Sequence, residues 1–217
     1  MSEPGRTVPV APERLAGWVQ RFGERHGDVR WDSDGAYPAV QAADGARAEF
    51  QLPGPRTGRP AHGLDELVEQ AGSFAGFGLV LVRRGGFAVG LVRDAQLAGS
   101  RCGTRHVQGQ TKAGGWSQQR FARRRSNQAD ELATAAAQAV RDVLGGALRD
   151  PELWLVCGGD RPLTTRCLEL AGTGSVAGDL LGRVLPHRLE VPDPRLRVLK
   201  EAVGRARSVR VVLNDLA

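Results

Sequence analysis

Residues 109–125, with the sequence GQTKAGGWSQQRFARRR, concentrate the side chains of this chain that could act on a bound molecule. The segment contains glycines, glutamines, a tryptophan and a run of arginines, but no histidine, aspartate or glutamate. From Asp94 to Asp130 the sequence has no intervening carboxylate. Chemistry in this segment would therefore depend on amides, backbone N–H groups and guanidiniums rather than on a titrating acid or base.

The glycines and arginines of the segment indicate a confined, anionic partner. Gly114 and Gly115 have no side chains, so the backbone can pass close to a bulky neighbour. Guanidiniums match phosphate oxygens well, and a cluster without interleaved acids is stabilised when a phosphate binds. A merely solvated basic surface is the alternative. Arg120, Arg123 and Arg124 have the i, i+3, i+4 spacing that places them on one helix face, and Arg125 lies beside them.

Three neighbouring residues complete the segment. Trp116 is interpreted as an exposed plate on which a nucleobase can stack, and a buried anchor is the alternative. Lys112 is assigned, with Trp116 and the arginines, to the residues expected to bind RNA. Ser117 is expected to cap the following helix rather than act as a nucleophile, because no histidine or carboxylate of the segment could activate it.

Motifs for other chemistries are absent from the sequence. There is no GxxxxGK[ST] or GxGxxG phosphate-binding pattern and no GxSxG nucleophile elbow. The histidines are scattered and do not have the spacing of metal ligands, so we expect neither a metal nor a cofactor. These histidines are His26, His62, His106 and His187.

Charge and composition agree with an anionic partner in a reducing compartment. The formal net charge is +6 and the sequence pI is about 10.2, which favours nucleic acid or an anionic surface. Cys102, Cys157 and Cys167 form no CxxC pair, and the chain has no membrane-spanning run and no signal peptide. We therefore expect a monomeric cytoplasmic protein without membrane contact.

The N-terminal residues, 1–70, are predicted to form a helix with a short β-hairpin that packs on the core. The first ten residues are expected to be loose, and a helix is expected from Pro12 to about Gly27. Strands are predicted at Tyr37–Ala42 and Ala46–Leu52, before a short helix at Leu64–Gln70.

Residues 71–217 are predicted to form a second domain with a mixed sheet flanked by helices, which is an α/β fold. Its central feature is a helix over Ser117–Leu144, whose apolar stripe begins only near Leu132. The front of this helix is therefore expected to project beyond the core. The other predicted strands are Leu79–Val82, Phe87–Arg93, Leu97–Val107, Leu153–Cys157, Arg188–Val191 and Ser208–Asn214, with helices at residues 160–170 and 193–205.

The sequence GGWSQQRFARRR, residues 114–125, resembles the catalytic loop and following helix of eukaryotic- and archaeal-type class I peptide release factors. Their pattern is Gly-Gly-Gln, then Ser, then a short spacer before Arg-Phe-Ala-Arg. The order of elements from about Phe77 to Asn214 is also similar to that catalytic middle domain. The segment most closely resembles the actinobacterial VLRF family of release-factor-like hydrolases, whose Gly-x-x-Gln motif matches residues 115–118. Trp116 stands where the Gly-Gly-Gln pattern has glutamine, so Gln118 is the expected catalytic amide, and Gln119 and Gln110 are the alternatives.

The resemblance implies a peptidyl-tRNA hydrolase that acts without a codon-reading domain. Such an enzyme would insert residues 109–119 into the peptidyl-transferase centre of the 50S subunit, in contact with 23S rRNA and peptidyl-tRNA. Gly114, Gly115 and Gln118 would form the catalytic group. A non-catalytic ribosome- or RNA-binding module and an endonuclease acting near the tRNA 3′ end are the alternatives.

Overall fold

The computed structural model describes residues 6–56, 58–104, 117–173 and 178–217, and for residues 117–126 it describes the helical backbone alone. In chain order the elements are β1 (Thr7–Val10), a 3-10 turn (Pro12–Arg14), α1 (Leu15–His26), β2 (Val29–Asp32), β3 (Ala39–Ala42), β4 (Arg47–Gln51), α2 (Leu64–Ser73), β5 (Phe77–Arg83), β6 (Gly86–Arg93), β7 (Gln96–Thr104), α3 (Ser117–Leu144), a 3-10 turn (Ala147–Arg149), β8 (Leu155–Gly159), α4 (Arg161–Gly172), a 3-10 turn (Leu181–Arg183), α5 (Leu196–Arg207) and β9 (Val209–Leu213). They form two compact units. Met1–Ala75 with Gly204–Ala217 form the first, and Gly76–Val203 form the second.

The first unit is built on a five-stranded antiparallel sheet in the order β1-β9-β4-β3-β2. Alternate residues of β4 and β9 are buried, as expected for a sheet with one covered face. The apolar face of α1, formed by Leu15, Val19 and Phe22, belongs to the same core as Phe50 of β4. Trp18 meets the Phe50 ring edge-on, with 5.8 Å between ring centroids.

Three features of this unit differ from the sequence prediction. Residues Thr7–Val10, expected to be loose, form strand β1, which pairs with β9. A strand also forms at Val29–Asp32, where none was predicted. The C-terminal strand β9, predicted in the sheet of residues 71–217, lies instead between β1 and β4. A division at residue 70 as a functional boundary stays a prediction.

The second unit has a four-stranded mixed sheet in the order β7-β6-β5-β8, which confirms the predicted α/β class. β5 and β8 are parallel, and the other pairs are antiparallel. Val80 and Val82 belong to the core shared with α3 and α4. Because side chains alternate along a strand, Leu79 and Leu81 face the opposite side. The predicted strand at Arg188–Val191 is reduced to an isolated bridge between Leu189 and Gly158.

Helix α3 runs over Ser117–Leu144, which confirms the predicted bounds. Leu132, Ala136 and Val140 follow a helical period and are buried in the core of the second unit. The helix stops at Gly145, whose N–H donates to the carbonyl of Arg141 at 3.0 Å. Within the described part of the chain, no helix is both long and apolar enough to cross a membrane.

Candidate functional site

The predicted site residues fall into two groups by their place in the chain. Those that lie outside the described residues are Gln110, Lys112, Gly114, Gly115 and Trp116. Those that lie in the first part of α3 are Gln118, Gln119, Arg120, Arg123, Arg124 and Arg125. The structure therefore gives the scaffold on either side of residues 105–116, and the roles of the residues themselves stay predictions.

Strand β7 leads to the segment 105–116 at one edge of the mixed sheet, which we term the exit edge. Thr104 ends β7 and pairs with Gly86, the first residue of β6. β5, β7 and β8 all run in the same direction, so their carboxyl ends, at Arg83, Thr104 and Gly159, define this edge. Ligands of α/β sheets characteristically bind beyond the carboxyl ends of strands.

Helix α3 begins well beyond the start of its neighbour α4. The Nε atom of Arg166 lies 3.9 Å from the Oδ1 atom of Asp130, which brings these two positions side by side. Arg166 is close to the start of α4 at Arg161, whereas Asp130 is several turns from the start of α3 at Ser117. Thirteen residues of α3 precede this contact (130 − 117), against five of α4 (166 − 161), so α3 extends further beyond it than α4 does. Projection of this front beyond the core stays a prediction.

The C-terminal half of α3 is held on both sides by polar contacts. Arg101 of β7 forms an ion pair with Asp142, which also accepts a hydrogen bond from Gln138 Nε2 at 2.7 Å. On the other side, Arg141 Nη1 donates to the carbonyl of Leu170 in α4 at 2.9 Å. Exposed ion pairs contribute little stability. Together with the buried stripe, however, these contacts fix the direction in which the helix leaves the core.

Four arginines of the second unit lie at or next to the exit edge: Arg83, Arg84, Arg161 and Arg188. Arg83 Nη1 donates to the carbonyl of Val191 at 2.8 Å, and Arg188 Nη2 donates to Thr164 Oγ1 at 3.2 Å. Arg84 and Arg161 make no hydrogen bond or ion pair with any other residue that the structure describes. Among the described residues, nothing therefore occupies either guanidinium.

Carboxylates are also present at this edge, so its charge is mixed. Asp160 caps α4 by accepting a hydrogen bond from the Leu163 N–H at 3.3 Å. Asp193 lies against Gly85, in the β5–β6 turn. Glu190 has an interaction partner as well. Four arginines and three carboxylates leave a formal excess of one positive charge at this edge.

The sequence alone does not single out the edge arginines as candidates. By sequence, Arg83 and Arg84 indicate only a turn, and Arg161 indicates only the start of a helix. A usable signal is nevertheless present, because Arg83 and Arg161 each lie at the carboxyl end of a predicted buried strand.

The cysteines do not supply a nucleophile to this edge. Burial raises the pKa of Cys157 to about 12 and that of Cys167 to about 12, so both thiols stay protonated at neutral pH. Partial burial also raises the pKa of Cys102, on β7.

Across residues 6–56, 58–104, 127–173 and 178–217, no three His, Cys, Asp or Glu side chains come together in a way that could hold a metal ion.

Comparisons with known proteins match one family model and a number of solved structures, two of which are described below. Residues 75–212 match the family model described as "Actinobacteria/chloroflexi VLRF1 release factor". An archaeal translation termination factor, aRF1, is similar over 92% of this chain and 63% of its own, with 15% identity and a TM-score of 0.41. A structure described as an archaeal protein is similar over 77% of this chain and 51% of its own, with 16% identity and a TM-score of 0.40.

The chain thus spans between about half and two thirds of the length of these two structures. No curated protein matches it significantly.

Proposed function

We propose a function from one premise: the chain belongs to the Actinobacteria/chloroflexi VLRF1 release-factor family. Membership gives a release-factor-like role in translation. The finer proposal is that the protein is a cytoplasmic peptidyl-tRNA hydrolase that frees nascent peptides from stalled or split large ribosomal subunits, independently of a codon. The family match carries this proposal, because it includes the Gly-Gly-Trp-Ser-Gln segment that residue types alone mark as the candidate for chemistry.

The way in which β7 and α3 hold the two ends of residues 105–116 supports the proposal. The chain leaves β7 at the exit edge and re-enters the described structure as α3, which extends further beyond the Asp130–Arg166 contact than α4 does. A segment attached to a projecting, well-anchored helix could reach into a narrow RNA-lined site while the core stays outside. The arginines in the first part of α3 would contact phosphates flanking that site.

The residue types support ester hydrolysis without a titrating group. A peptidyl-tRNA ester is an activated ester, so the enzyme needs to position one water and stabilise charge on a developing oxyanion or on the leaving ribose oxygen. Oriented donors and positioning can each contribute several kcal/mol to such a step. We assign the water-positioning amide to Gln118 and the close backbone approach to Gly114 and Gly115. Water attacks the ester carbonyl and the bond from that carbon to the ribose oxygen breaks. The ribose oxygen takes one proton of the water, and the other is released to solvent as the peptide carboxylate forms.

Identification of both products tests this proposal directly. The protein is incubated with 50S subunits that carry peptidyl-tRNA labelled in the peptide and in the tRNA. Ester hydrolysis predicts a free peptide carboxylate and an intact tRNA that can be aminoacylated again. A peptide still attached to a nucleotide fragment would instead show phosphodiester cleavage. Tight 50S binding without either product would show a non-catalytic module.

A further inference from the structure

A cavity of about 200 Å³ lies entirely within the second unit, between α4 and residues 181–188. Val184 bridges to Leu155 and Leu189 bridges to Gly158, so the segment 184–189 runs parallel to β8. The cavity therefore has two distinct ends. Arg188 and Arg161 lie at the end nearest the exit edge, and Val184, Leu168 and Leu181 line the opposite end.

The polar end of the cavity has one guanidinium that is already oriented. Thr164 is fully buried, and its hydroxyl donates to the carbonyl of Asp160 at 2.7 Å. The same oxygen accepts the hydrogen bond from Arg188 Nη2. The Arg188 guanidinium also forms a hydrogen bond with the side chain of buried Cys157. A guanidinium has five N–H donors, so these two contacts hold the group in place and leave other donors available.

The second guanidinium at this end belongs to Arg161, which makes no hydrogen bond or ion pair with the residues that the structure describes. The nearest acidic side chain in sequence, Asp160, already caps α4. Two guanidiniums that share one cavity repel each other unless an anion lies between them. The apolar wall beyond them, with Leu181 39% exposed, would at the same time contact an uncharged part of the ligand.

We infer that this cavity binds a sugar phosphate, either at a chain end or within the backbone of RNA, with the phosphate between Arg161 and Arg188. Guanidiniums bind phosphate through paired N–H···O bonds, and a phosphate has enough oxygens to engage two of them. Drug-sized ligands occupy pockets of about 300–1,000 Å³, so this smaller cavity suits a sugar phosphate rather than a whole nucleotide. The ribose lies against Leu168 and Val184.

The described residues that line this site lie in α4 and in residues 181–188. Phosphate binding here does not depend on any hydrolytic activity. The two proposals can therefore fail independently.

Solution NMR of the full chain with labelled Leu and Val methyl groups tests the inference, with ribose 5-phosphate as the probe and ribose as its uncharged control. We expect ribose 5-phosphate to shift the methyl signals of Leu168, Leu181 and Val184, and ribose to leave them unchanged. Arg161→Gln should weaken binding of ribose 5-phosphate about tenfold, because it removes a charge-assisted bond. Arg166→Gln is the matched control, since Arg166 lies on the same helix but outside the cavity.

A second variant and a second ligand complete the test. Arg188→Lys keeps the charge but loses the planar fork, and should also weaken binding if the protein remains folded. Short RNAs with and without a 5′ phosphate separate the two sources: dependence on the terminal phosphate indicates a chain end, and equal binding indicates the backbone. Equal affinity in Arg161→Gln and Arg166→Gln, or methyl shifts with an acidic peptide but not with ribose 5-phosphate, would overturn the inference.

Discussion

At the scale of single residues, the proposed chemistry depends on Gln118. Its amide does not titrate near neutral pH, so it must act without proton transfer. Its side chain can accept a hydrogen bond from a water and donate to a developing oxyanion, and its backbone N–H can donate to a leaving oxygen. These roles need orientation rather than proton transfer. A rate that depends on such an amide should therefore vary little with pH between about 6 and 8, where histidine would titrate.

Gly115→Val is expected to abolish peptide release while leaving the fold intact. A β-branched side chain restricts the backbone and adds bulk where we propose that the chain enters a confined RNA site. Thermal unfolding and single-turnover release, measured on the same preparation, check this prediction. A variant with a lower melting temperature whose folded fraction keeps full specific activity would show that Gly115 only serves the start of the helix.

At the scale of elements, α3 combines two features: one face of its rear half is buried in the core, and its front half contains the arginine cluster. Replacement of Arg123 and Arg124 by Glu is expected to weaken 50S binding and to flatten its dependence on salt. Each phosphate that the protein no longer neutralises lowers the slope of log affinity against log salt concentration by about one unit. Binding at several salt concentrations checks this. An unchanged slope would mean that these arginines are only solvated.

The packing of α3 against the sheet can be tested at Gly78. A Cβ atom there would lie 2.6 Å from Leu155 Cδ2 and 2.9 Å from Leu144 Cδ1, and both leucines are fully buried. Gly78→Ala should therefore lower the free energy of unfolding by about 1–3 kcal/mol, measured by urea denaturation. Gly99→Ala is the matched control in the same sheet, because nothing lies within 4 Å of its added Cβ. Equal stability of both variants would contradict this packing.

The elements that the sequence predicted well are those that local patterns determine. α3 has a periodic apolar stripe and a glycine after its last turn, so both of its ends could be predicted. β1 has four residues, including Pro9, and becomes a strand only through pairing with Val209–Val212 at the other end of the chain. No local pattern reveals such a long-range partner. The sequence predicts residues 109–125 as the candidate site, and this stays a prediction. It does not bring Arg161 and Arg188 together, because their proximity depends on the tertiary fold.

At the scale of the whole molecule, strands from both ends of the chain pair within one sheet. β9 lies between β1 and β4, so the first unit requires residues from both ends of the chain. A fragment that contains residues 71–217 alone keeps β9 but lacks both of its neighbours. We expect the amides of Val209–Leu213 to exchange rapidly in this fragment and slowly in the full chain, while the β5 amides stay protected in both. Slow exchange of β9 in the fragment would contradict this topology.

The measurement that tests the central claim most directly is single-turnover release of a labelled peptide from 50S-bound peptidyl-tRNA at saturating enzyme. We expect Gln118→Ala to bind 50S normally and to release peptide about 10²-fold or more slowly, as for a missing oxyanion donor. Gln119→Ala and Gln110→Ala are the matched controls, and Gln119 is rotated by about 100° from Gln118 along α3. Both controls should retain activity. Full activity of Gln118→Ala together with loss of activity in Gln110→Ala would assign the catalytic amide to Gln110, upstream of the glycines. Full activity of all three variants would contradict the glutamine mechanism.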